Sequence, residues 1–286
     1  MKKQITRSKV PGLQECLKKA IEKKGFAFVP YLAAGDPDWE NSLKIIDVLV
    51  NAGADTIEIG LPFTDPVADG PVLQKSFKRV LAQEFTMEKF FKFLSGIKKA
   101  HPHFPLLVMG YANIFYRMGF ARILKQLGTY NVTGVIIPDI PYEEKMRLIK
   151  NEKLELLLQN ISWVDFITPT TTKDRLIKIC SSASGFLYFV STKGVTGQSQ
   201  FSLKPLQNII RDVRKKTKTP ILAGFGIRTA EHAREAASLT DGFIVGSRIH
   251  EIIEENLNKR EFITIKLRTE LTKLLSGIEH EKHLMA

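Results

Sequence analysis

Short apolar segments alternate with amphipathic, helix-like segments along the whole chain. Each apolar segment has the length of a β-strand, and most end at or just before glycine or proline. This alternation predicts βαβ units, in which helices connect the parallel strands of one sheet. Eight such units favour an α/β fold of the closed type, a (β/α)8 TIM barrel, over an open sheet. The predicted strands cover residues 26–33, 56–60, 106–110, 134–137, 154–161, 186–190, 221–224 and 243–245.

Two helical segments add to the predicted barrel. Residues 13–24 form an extra amphipathic helix before the first strand, and a short helix follows the last strand after Gly246 and Ser247. No change of composition marks a linker, and a typical barrel has about 250 residues, close to the 286 present here. We therefore expect one domain over residues 1–286, with a frayed tail at residues 280–286.

The net charge of +12 admits a nucleic-acid partner, an anionic substrate or a plain solvated basic surface. The basic residues are dispersed over helical segments and are not interleaved with aromatic residues. A nucleic-acid platform would combine both in one patch. The solvated surface is therefore favoured, and no nucleic-acid partner is expected.

Sequence features that direct a chain to a membrane are missing. No apolar run is long enough to span a bilayer, and the basic N-terminus lacks the apolar core of a signal peptide. Cys16 and Cys180 lie far apart without metal-site spacing, and Cys16 shares a helical face with apolar residues. These features predict a cytoplasmic protein with no membrane partner.

Glu58 lies in the middle of the second predicted strand, where a barrel strand is normally apolar on both faces. The two-residue period of strands places it on one face with Thr56 and Gly60. A buried carboxylate without a partner is costly, so Glu58 is either paired with a barrel lysine or functional. Because no predicted strand offers an interior lysine, we favour a catalytic acid/base.

Two further residues are candidates for the same site. Asp69 lies in the loop after the second strand, before Gly70, and is either a turn residue or a second catalytic carboxylate. Tyr188 lies in the sixth predicted strand and is either core or functional, since a buried hydroxyl needs a partner. Active sites of TIM barrels lie at the C-terminal ends of the strands, which is where the Asp69 loop begins.

Glycine clusters follow the last three predicted strands, at residues 194–197, 224–226 and 246–247. Glycine lets backbone N–H groups approach an anion closely, and TIM barrels often bind phosphate beside the seventh and eighth loops. Three such loops in succession favour a phosphate site over plain turns. Ser247 is expected to cap the following helix and to donate its hydroxyl.

No grouping of histidine, cysteine and acidic residues has the spacing of a metal site, so no metal is expected. His101 and His103 flank a proline in a predicted turn, and His280 and His283 belong to the tail. We expect all four to be surface groups.

The chain resembles the α subunit of tryptophan synthase over nearly its whole length. The pattern PFxDPxADGP at residues 62–71 is the most specific part of this resemblance. It implies a barrel enzyme without a cofactor of its own that cleaves indole-3-glycerol phosphate into indole and glyceraldehyde 3-phosphate. It also implies an α₂β₂ heterotetramer, in which indole passes to a pyridoxal-phosphate-dependent β subunit. Further matching motifs are VPYLAAGDP (29–37), MGYANIFY (109–116), IPDIPYEE (137–144), GVTG (194–197), GFGI (224–227) and VGS (245–247).

The resemblance implies roles for individual residues. Glu58 matches the catalytic acid/base, Asp69 the aspartate that binds the indole N–H, and Tyr188 the tyrosine beside the glutamate. Thr196 lies in the sixth loop, residues 191–202, whose glycine- and hydroxyl-rich sequence predicts a mobile lid. The matching positions are Gly197, Gly226, Gly246 and Ser247 for phosphate contacts, and Tyr31, Met109, Ile136 and Phe225 for the indole pocket.

The loops after the second and third strands carry Phe63, Ile114 and Phe115, which we expect to be exposed where a β subunit docks. Two alternatives stay open. One is a non-catalytic α-type subunit that only activates a β subunit, which the retention of Glu58 and Asp69 disfavours. The other is a different phosphate-binding barrel enzyme, such as a sugar-phosphate epimerase or thiamine phosphate synthase, whose metal or pyrophosphate site is not evident in the sequence.

Overall fold

The chain folds into a barrel of parallel strands surrounded by helices. The computed structural model describes residues 10–190, 202–224 and 226–278. In these ranges the strands are β1 (Ala27–Ala33), β2 (Ile57–Gly60), β3 (Leu106–Met109), β4 (Val132–Ile136), β5 (Ser162–Trp163), β6 (Asp165–Ile167), β7 (Leu187–Val190), β8 (Ile221–Gly224) and β9 (Gly242–Val245). Their order in the sheet is β5-β4-β3-β2-β1-β9-β8-β7-β6, and every pairing is parallel. The predicted (β/α)8 TIM barrel is confirmed.

The fifth barrel strand consists of two short pieces, β5 and β6, separated by Val164. β5 pairs with β4, and β6 pairs with β7, so this interrupted strand closes the ring. The backbone N–H of Val164 still donates to the carbonyl of Val135 at 3.0 Å.

The predicted position of this strand, residues 154–161, is wrong. Those residues form turns, in which the Leu158 N–H bonds the Leu154 carbonyl at 3.0 Å. Leu154 and Ile161 are buried, whereas Leu156 is 67% exposed. Burial therefore follows helical spacing along this leucine-rich segment, and the strand begins only at Ser162.

Helices cover the outside of the barrel. The helices in the described ranges are α1 (Leu13–Lys24), α2 (Trp39–Asn51), α3 (Pro71–Leu81), α4 (Met87–Ala100), α5 (Ala112–Met118), α6 (Phe120–Gly128), α7 (Tyr142–Asn151), α8 (Lys173–Ser182), α9 (Gln207–Arg214), α10 (Ala230–Leu239), α11 (Ser247–Glu255) and α12 (Ile263–Leu275). Gly119, with φ of 79°, separates α5 from α6.

Alternate residues of each strand belong to two different cores. On β1, Val29 and Tyr31 belong to the cluster inside the barrel, whereas Phe28 and Leu32 pack in the layer between strands and helices. Side chains of a strand alternate between its two faces, so the single residue between Ile57 and Ile59 of the outer layer points inward. That residue is Glu58.

The predicted N-terminal helix, α1, closes the N-terminal end of the barrel. Leu13 and Leu17 are 1% and 0% exposed and join the inner cluster. A Cβ at Gly134 would lie 2.6 Å from Leu13, and one at Gly185 would lie 2.8 Å from it, so both glycines make room for this leucine. Leu13 and Leu17 therefore fill the N-terminal end of the barrel.

A buried ion pair ties α7 to the interrupted strand. The Lys145 ammonium donates to the Asp165 carboxylate at 2.7 Å and to the Trp163 carbonyl at 2.8 Å. Burial raises the pKa of Asp165 and lowers the pKa of Lys145, so desolvation opposes both charges. Each side chain is 5% exposed, and neither charge can turn to water if the other is lost.

Loss of one partner is therefore expected to cost more than loss of both. Lys145→Met should lower the free energy of unfolding by about 3 to 5 kcal/mol, because Asp165 is left buried and unpaired. The double variant Lys145→Met/Asp165→Leu should regain a large part of that loss. Urea unfolding measures each value, with exposed Lys150→Met of the same helix as the control. If Lys145→Met were as stable as Lys150→Met, the buried ion pair between Lys145 and Asp165 would be contradicted.

Candidate active site

Three residues predicted for the site share the inner face of the barrel. Tyr31 on β1 and Glu58 on β2 are register partners in adjacent strands. Tyr188 on β7 is 8% exposed and packs against Phe166, with 5.0 Å between the ring centroids. Burial and then the nearby charges of Glu58 and Asp69 raise the pKa of Tyr188, which places all these groups in one electrostatic environment.

Glu58 is fully buried, and neither of its carboxylate oxygens has a hydrogen-bond partner among the residues that the structure describes. Burial, followed by the charge of Asp69, raises the pKa of Glu58 to about 8. The alternative role of Glu58, an ion pair with a barrel lysine, is not supported, because no cation pairs with Glu58 in the described ranges. At neutral pH this carboxyl is mainly protonated and holds a proton that no neighbouring group shares.

Asp69 lies in the loop between β2 and α3 and is 8% exposed. Burial raises the pKa of Asp69 to about 6, although a hydrogen bond from Tyr111 acts in the opposite direction. A plain turn residue would use its side chain locally, yet the cap residue of α3 is Gly70, which makes no side-chain cap. The Asp69 carboxylate instead accepts the Tyr111 hydroxyl at 2.6 Å.

Tyr111, which follows β3, is a site residue that was not predicted. Its hydroxyl donates to Asp69 and accepts the Ala68 N–H at 3.1 Å, so it fixes both the carboxylate and its loop. The ring of Phe63 stacks on Tyr111 with 5.1 Å between centroids. The sequence signal for Tyr111 was its place in the MGYANIFY motif, directly after a strand. This signal did not identify its partner, Asp69, which lies 42 residues away.

Two glycines allow the tyrosine rings to lie across the barrel mouth. A Cβ at Gly60 would lie 2.1 Å from the Tyr31 hydroxyl oxygen, and a Cβ at Gly224 would lie 2.0 Å from the Tyr188 ring. Contacts this short are excluded, so any larger residue would displace a ring. Gly60 and Gly224 are therefore set by the packing of the tyrosines.

Three residues predicted for the indole pocket belong to the inner cluster of the barrel. Met109 is 8% exposed, Ile136 is fully buried, and both belong to the inner cluster together with Tyr31. These side chains give the C-terminal part of the barrel an apolar wall that suits a flat aromatic ring. Phe225, the fourth predicted pocket residue, lies outside the described residues.

The predicted phosphate site is partly described. Gly246 precedes α11, and Gly226 has φ of 77°, a left-handed conformation that favours glycine. Ser247 is the first residue of α11 and not its cap, because Gly246 occupies the cap position without a side-chain bond. Its hydroxyl lies at a helix N-terminus. Thr196, Gly197, the predicted lid and the tail at residues 280–286 lie outside the described residues.

A buried polar cluster joins the loop after β1 to α3 and α11. Arg79 of α3 donates two hydrogen bonds to Asp36, at 2.7 and 2.9 Å. His250 of α11 lies 2.8 Å from Asp36 through Nδ1, and its Nε2 accepts the Ala33 N–H at 3.1 Å, which leaves the ring proton on Nδ1. Burial opposes ionisation of Asp36, but the hydrogen bonds from Arg79 and His250 outweigh it and hold the pKa of Asp36 below its usual value.

The exposed apolar side chains of the loops after β2 and β3 differ from those predicted. Phe115 is fully buried in the outer layer, and Phe63 and Ile114 are half-buried. Large apolar rings pack against the core wherever the loop can reach it. The loop sequence alone does not show which side chains can do so. Val67 and Tyr116 are exposed instead, by 83% and 53%.

Neither a metal-binding cluster nor a membrane-spanning helix occurs in the described ranges. No group of three histidine, cysteine or acidic residues there is placed to hold a metal ion. In the same ranges, no helix combines the length and apolar character that a membrane span requires.

Comparisons with known proteins agree with this geometry. The family profile described as tryptophan synthase alpha chain matches residues 17–279. The chain belongs to the tryptophan synthase alpha chain family. A family member of Leptospira borgpetersenii is 39% identical over 252 residues, which are 88% of this chain and 95% of the relative. One from Oceanobacillus iheyensis is 37% identical over 85% of this chain and 91% of its own length.

A solved structure supports the same assignment. Tryptophan synthase subunit alpha from Legionella pneumophila superposes with a TM-score of 0.81 and 28% identity, covering 92% of this chain and 96% of the other. The resemblance predicted from the sequence is thereby confirmed, and with it the class of enzyme, a lyase of tryptophan biosynthesis.

The raised pKa of Glu58 makes stability depend on pH. Between the ordinary value of 4.5 and about 8, the folded state holds a proton on Glu58 that the unfolded state releases. Stability should therefore fall as pH rises through this window, by up to about 1.4 kcal/mol per pH unit. The comparison improves above pH 6, where less than half of the Asp69 carboxyl stays protonated in the folded state.

Urea unfolding between pH 6 and 8 tests this dependence. Glu58→Gln should remove most of the slope, whereas Glu155→Gln, at an exposed position, should keep it. Equal slopes in wild type and Glu58→Gln would show that Glu58 ionises normally in the folded chain.

Proposed function

We propose that this chain cleaves indole-3-glycerol phosphate into indole and glyceraldehyde 3-phosphate, the lyase reaction that membership of its family implies. The observation that carries this proposal is a pair of buried carboxyl groups in an apolar barrel mouth. Glu58 has a pKa of about 8 and Asp69 one of about 6, so near neutral pH the first is mainly protonated and the second mainly ionised. Environments that separate two carboxyl groups in this way assign them different roles.

Glu58 is proposed to move the proton in both directions. Protonation of indole C3 makes the ring a leaving group and places positive charge on the indole nitrogen. The carbon–carbon bond then breaks, its electron pair returns to the ring, and the side-chain hydroxyl becomes an aldehyde as its proton leaves. Glu58 gives the first proton and takes the second, so the carboxyl is restored at the end. A pKa near the operating pH suits a group with both tasks.

Asp69 is proposed to accept the indole N–H and to stabilise the charge that develops on the ring. An ionised carboxylate in a water-poor site stabilises a nearby cation far more than it would in bulk water. The Tyr111 hydroxyl donates to Oδ2 of Asp69 at 2.6 Å, and Oδ1 is the oxygen that we propose for the substrate. The bond from Tyr111 also supports the ionised state that this role requires.

The remaining site residues are proposed from their places in the barrel. Tyr188 lies beside the reacting centre, and Tyr31, Met109, Ile136 and Phe225 hold the indole ring. The phosphate is proposed to lie at Gly197, Gly226, Gly246 and Ser247, with Thr196 in a loop that covers the site. Every step above uses groups of the chain and the substrate.

A β chain is the proposed partner, in an α₂β₂ assembly that carries pyridoxal phosphate on the β chain and is cytoplasmic. The alpha chain name of the relatives implies such a partner. Val67 and Tyr116 lie on the loops after β2 and β3, at the C-terminal end of the barrel, and offer exposed apolar surface there. Indole is small and apolar, so direct delivery to the next enzyme prevents its loss through membranes.

Replacement of the two carboxyl groups tests the mechanism. Glu58→Gln keeps the shape but cannot transfer a proton, and Asp69→Asn removes the charge that stabilises the indolium. Each should lower the rate of indole release at least about 100-fold. Asp65→Asn removes an exposed carboxylate from the same loop and serves as the control, expected within a few-fold of wild type.

Indole release from indole-3-glycerol phosphate is followed for each purified variant. Normal turnover in Glu58→Gln would exclude it as the acid/base, and normal turnover in Asp69→Asn would reduce Asp69 to a turn residue. An inactive wild type that still forms a complex with a β chain would favour the non-catalytic alternative.

Titration with a cognate β chain tests the partner. The rate of indole release should rise to a plateau as a complex forms on a sizing column. Val67→Lys places a charge in the proposed contact and should shift the midpoint at least about tenfold, the effect of 1.4 kcal/mol on an affinity. Ile177→Lys, at an apolar residue of α8 that is 53% exposed, is the matched control. A flat titration without a complex would leave the chain a stand-alone lyase.

A further inference from the structure

The Tyr31 hydroxyl is a buried polar group that the reaction outlined above does not use. Tyr31 is 3% exposed, and its hydroxyl has no hydrogen-bond partner within residues 10–190, 202–224 and 226–278. A buried hydroxyl without a partner costs about 1 to 3 kcal/mol relative to a phenylalanine that leaves nothing unsatisfied. Such a group in a binding site suggests that its partner is a ligand.

The position of the Tyr31 side chain is well defined. Its hydroxyl lies over Gly60, on the same face of β2 as Glu58, and a Cβ at Gly60 would lie 2.1 Å from the hydroxyl oxygen. The Cβ of Tyr31, at the other end of the side chain, lies beside Gly246. A Cβ added to Gly246 would lie 3.2 Å from it. His250 packs edge-on against the ring with 5.6 Å between centroids. The ring is therefore held between the end of β9 and Glu58.

The Tyr31 side chain runs from Gly246 towards Glu58, and the polar side chain of the proposed substrate would follow the same line. The side chain of indole-3-glycerol phosphate carries one hydroxyl at the carbon that is cleaved and a second hydroxyl nearer the phosphate. If Glu58 acts at the first carbon and the phosphate lies at Gly246, the second hydroxyl has to cross the space beside Tyr31. Burial, together with the charges of Asp69 and Glu58, raises the pKa of Tyr31 and keeps it a hydrogen-bond donor.

We propose that the Tyr31 hydroxyl binds the second hydroxyl of the substrate side chain and selects for polyol phosphates over deoxy analogues. This inference rests on the proposed function, since it uses that substrate. A site built to bond a substrate hydroxyl discriminates strongly against an analogue without it, because the polar group of the protein is then left unpaired. Tyr31 would therefore determine specificity as well as form part of the indole pocket.

The experiment compares indole-3-glycerol phosphate with an analogue that lacks only the second hydroxyl. Values of kcat/KM for indole release are measured for wild type, Tyr31→Phe and Tyr130→Phe. Tyr130 is half-buried and packs on Phe91 outside the barrel, so its variant controls for loss of a tyrosine hydroxyl. Calorimetric binding of both compounds to each protein gives a second measure that does not require turnover.

Tyr31→Phe should lower kcat/KM for the full substrate about 10- to 100-fold and leave the deoxy analogue almost unchanged. The preference for the full substrate should then nearly disappear, while Tyr130→Phe keeps it. The Tm of Tyr31→Phe should be equal to or above that of wild type, because an unsatisfied hydroxyl has been removed.

An unchanged preference in Tyr31→Phe, in turnover or in binding, would overturn the inference. A Tm several degrees lower would also overturn it, because the hydroxyl would then have a structural partner such as a buried water. If wild type releases no indole but binds the full substrate better than the deoxy analogue, the proposed function fails. The binding ratio of Tyr31→Phe still decides the role of the hydroxyl in that case.

Discussion

Glu58 is buried without a hydrogen-bond partner among the described residues, and the rest of the site depends on this constraint. A carboxyl group in water would ionise near its ordinary value of 4.5, and only the closed barrel holds its pKa at about 8. Leu13 of α1 fills the opposite end of the barrel and excludes water from below. The inner face therefore remains apolar around the two carboxyl groups, and Glu58 retains its proton near neutral pH.

Polar contacts outside the inner face of the barrel hold the elements around Glu58 in place. Asp36 joins Arg79 and His250, so the loop after β1, the helix after the Asp69 loop and the helix after β9 share one buried cluster. His250 also packs against Tyr31 and accepts a backbone N–H of β1. These contacts orient the strand that carries Tyr31 relative to the proposed phosphate end. They supply the support that a site built from short strands requires.

The sequence predicted the barrel and Glu58 because both depend on local patterns. A carboxylate between Ile57 and Ile59 is visible from strand periodicity alone. The fifth strand was misplaced because the leucine-rich run at residues 154–161 has apolar spacing that fits turns as well as a strand. Tyr111 and His250 were missed for a different reason. Their partners lie 42 and 214 residues away, and no local pattern specifies such pairs.

The loop after β2 connects the proposed chemistry to the proposed partner through three consecutive residues. Val67 is 83% exposed, the Ala68 N–H donates to the Tyr111 hydroxyl, and Asp69 accepts from that same hydroxyl. A β chain that covers Val67 would act on a segment whose backbone and carboxylate share one hydrogen-bonding group. The β chain alters the lyase rate only if it binds one arrangement of this loop better than another. Any arrangement that breaks the hydrogen bond from Tyr111 would raise the pKa of Asp69 and weaken the hydrogen bond that we propose between Asp69 and the indole N–H. Docking that keeps this bond formed would therefore favour the ionised Asp69 and faster cleavage, and the occupied site would bind the β chain more tightly in return.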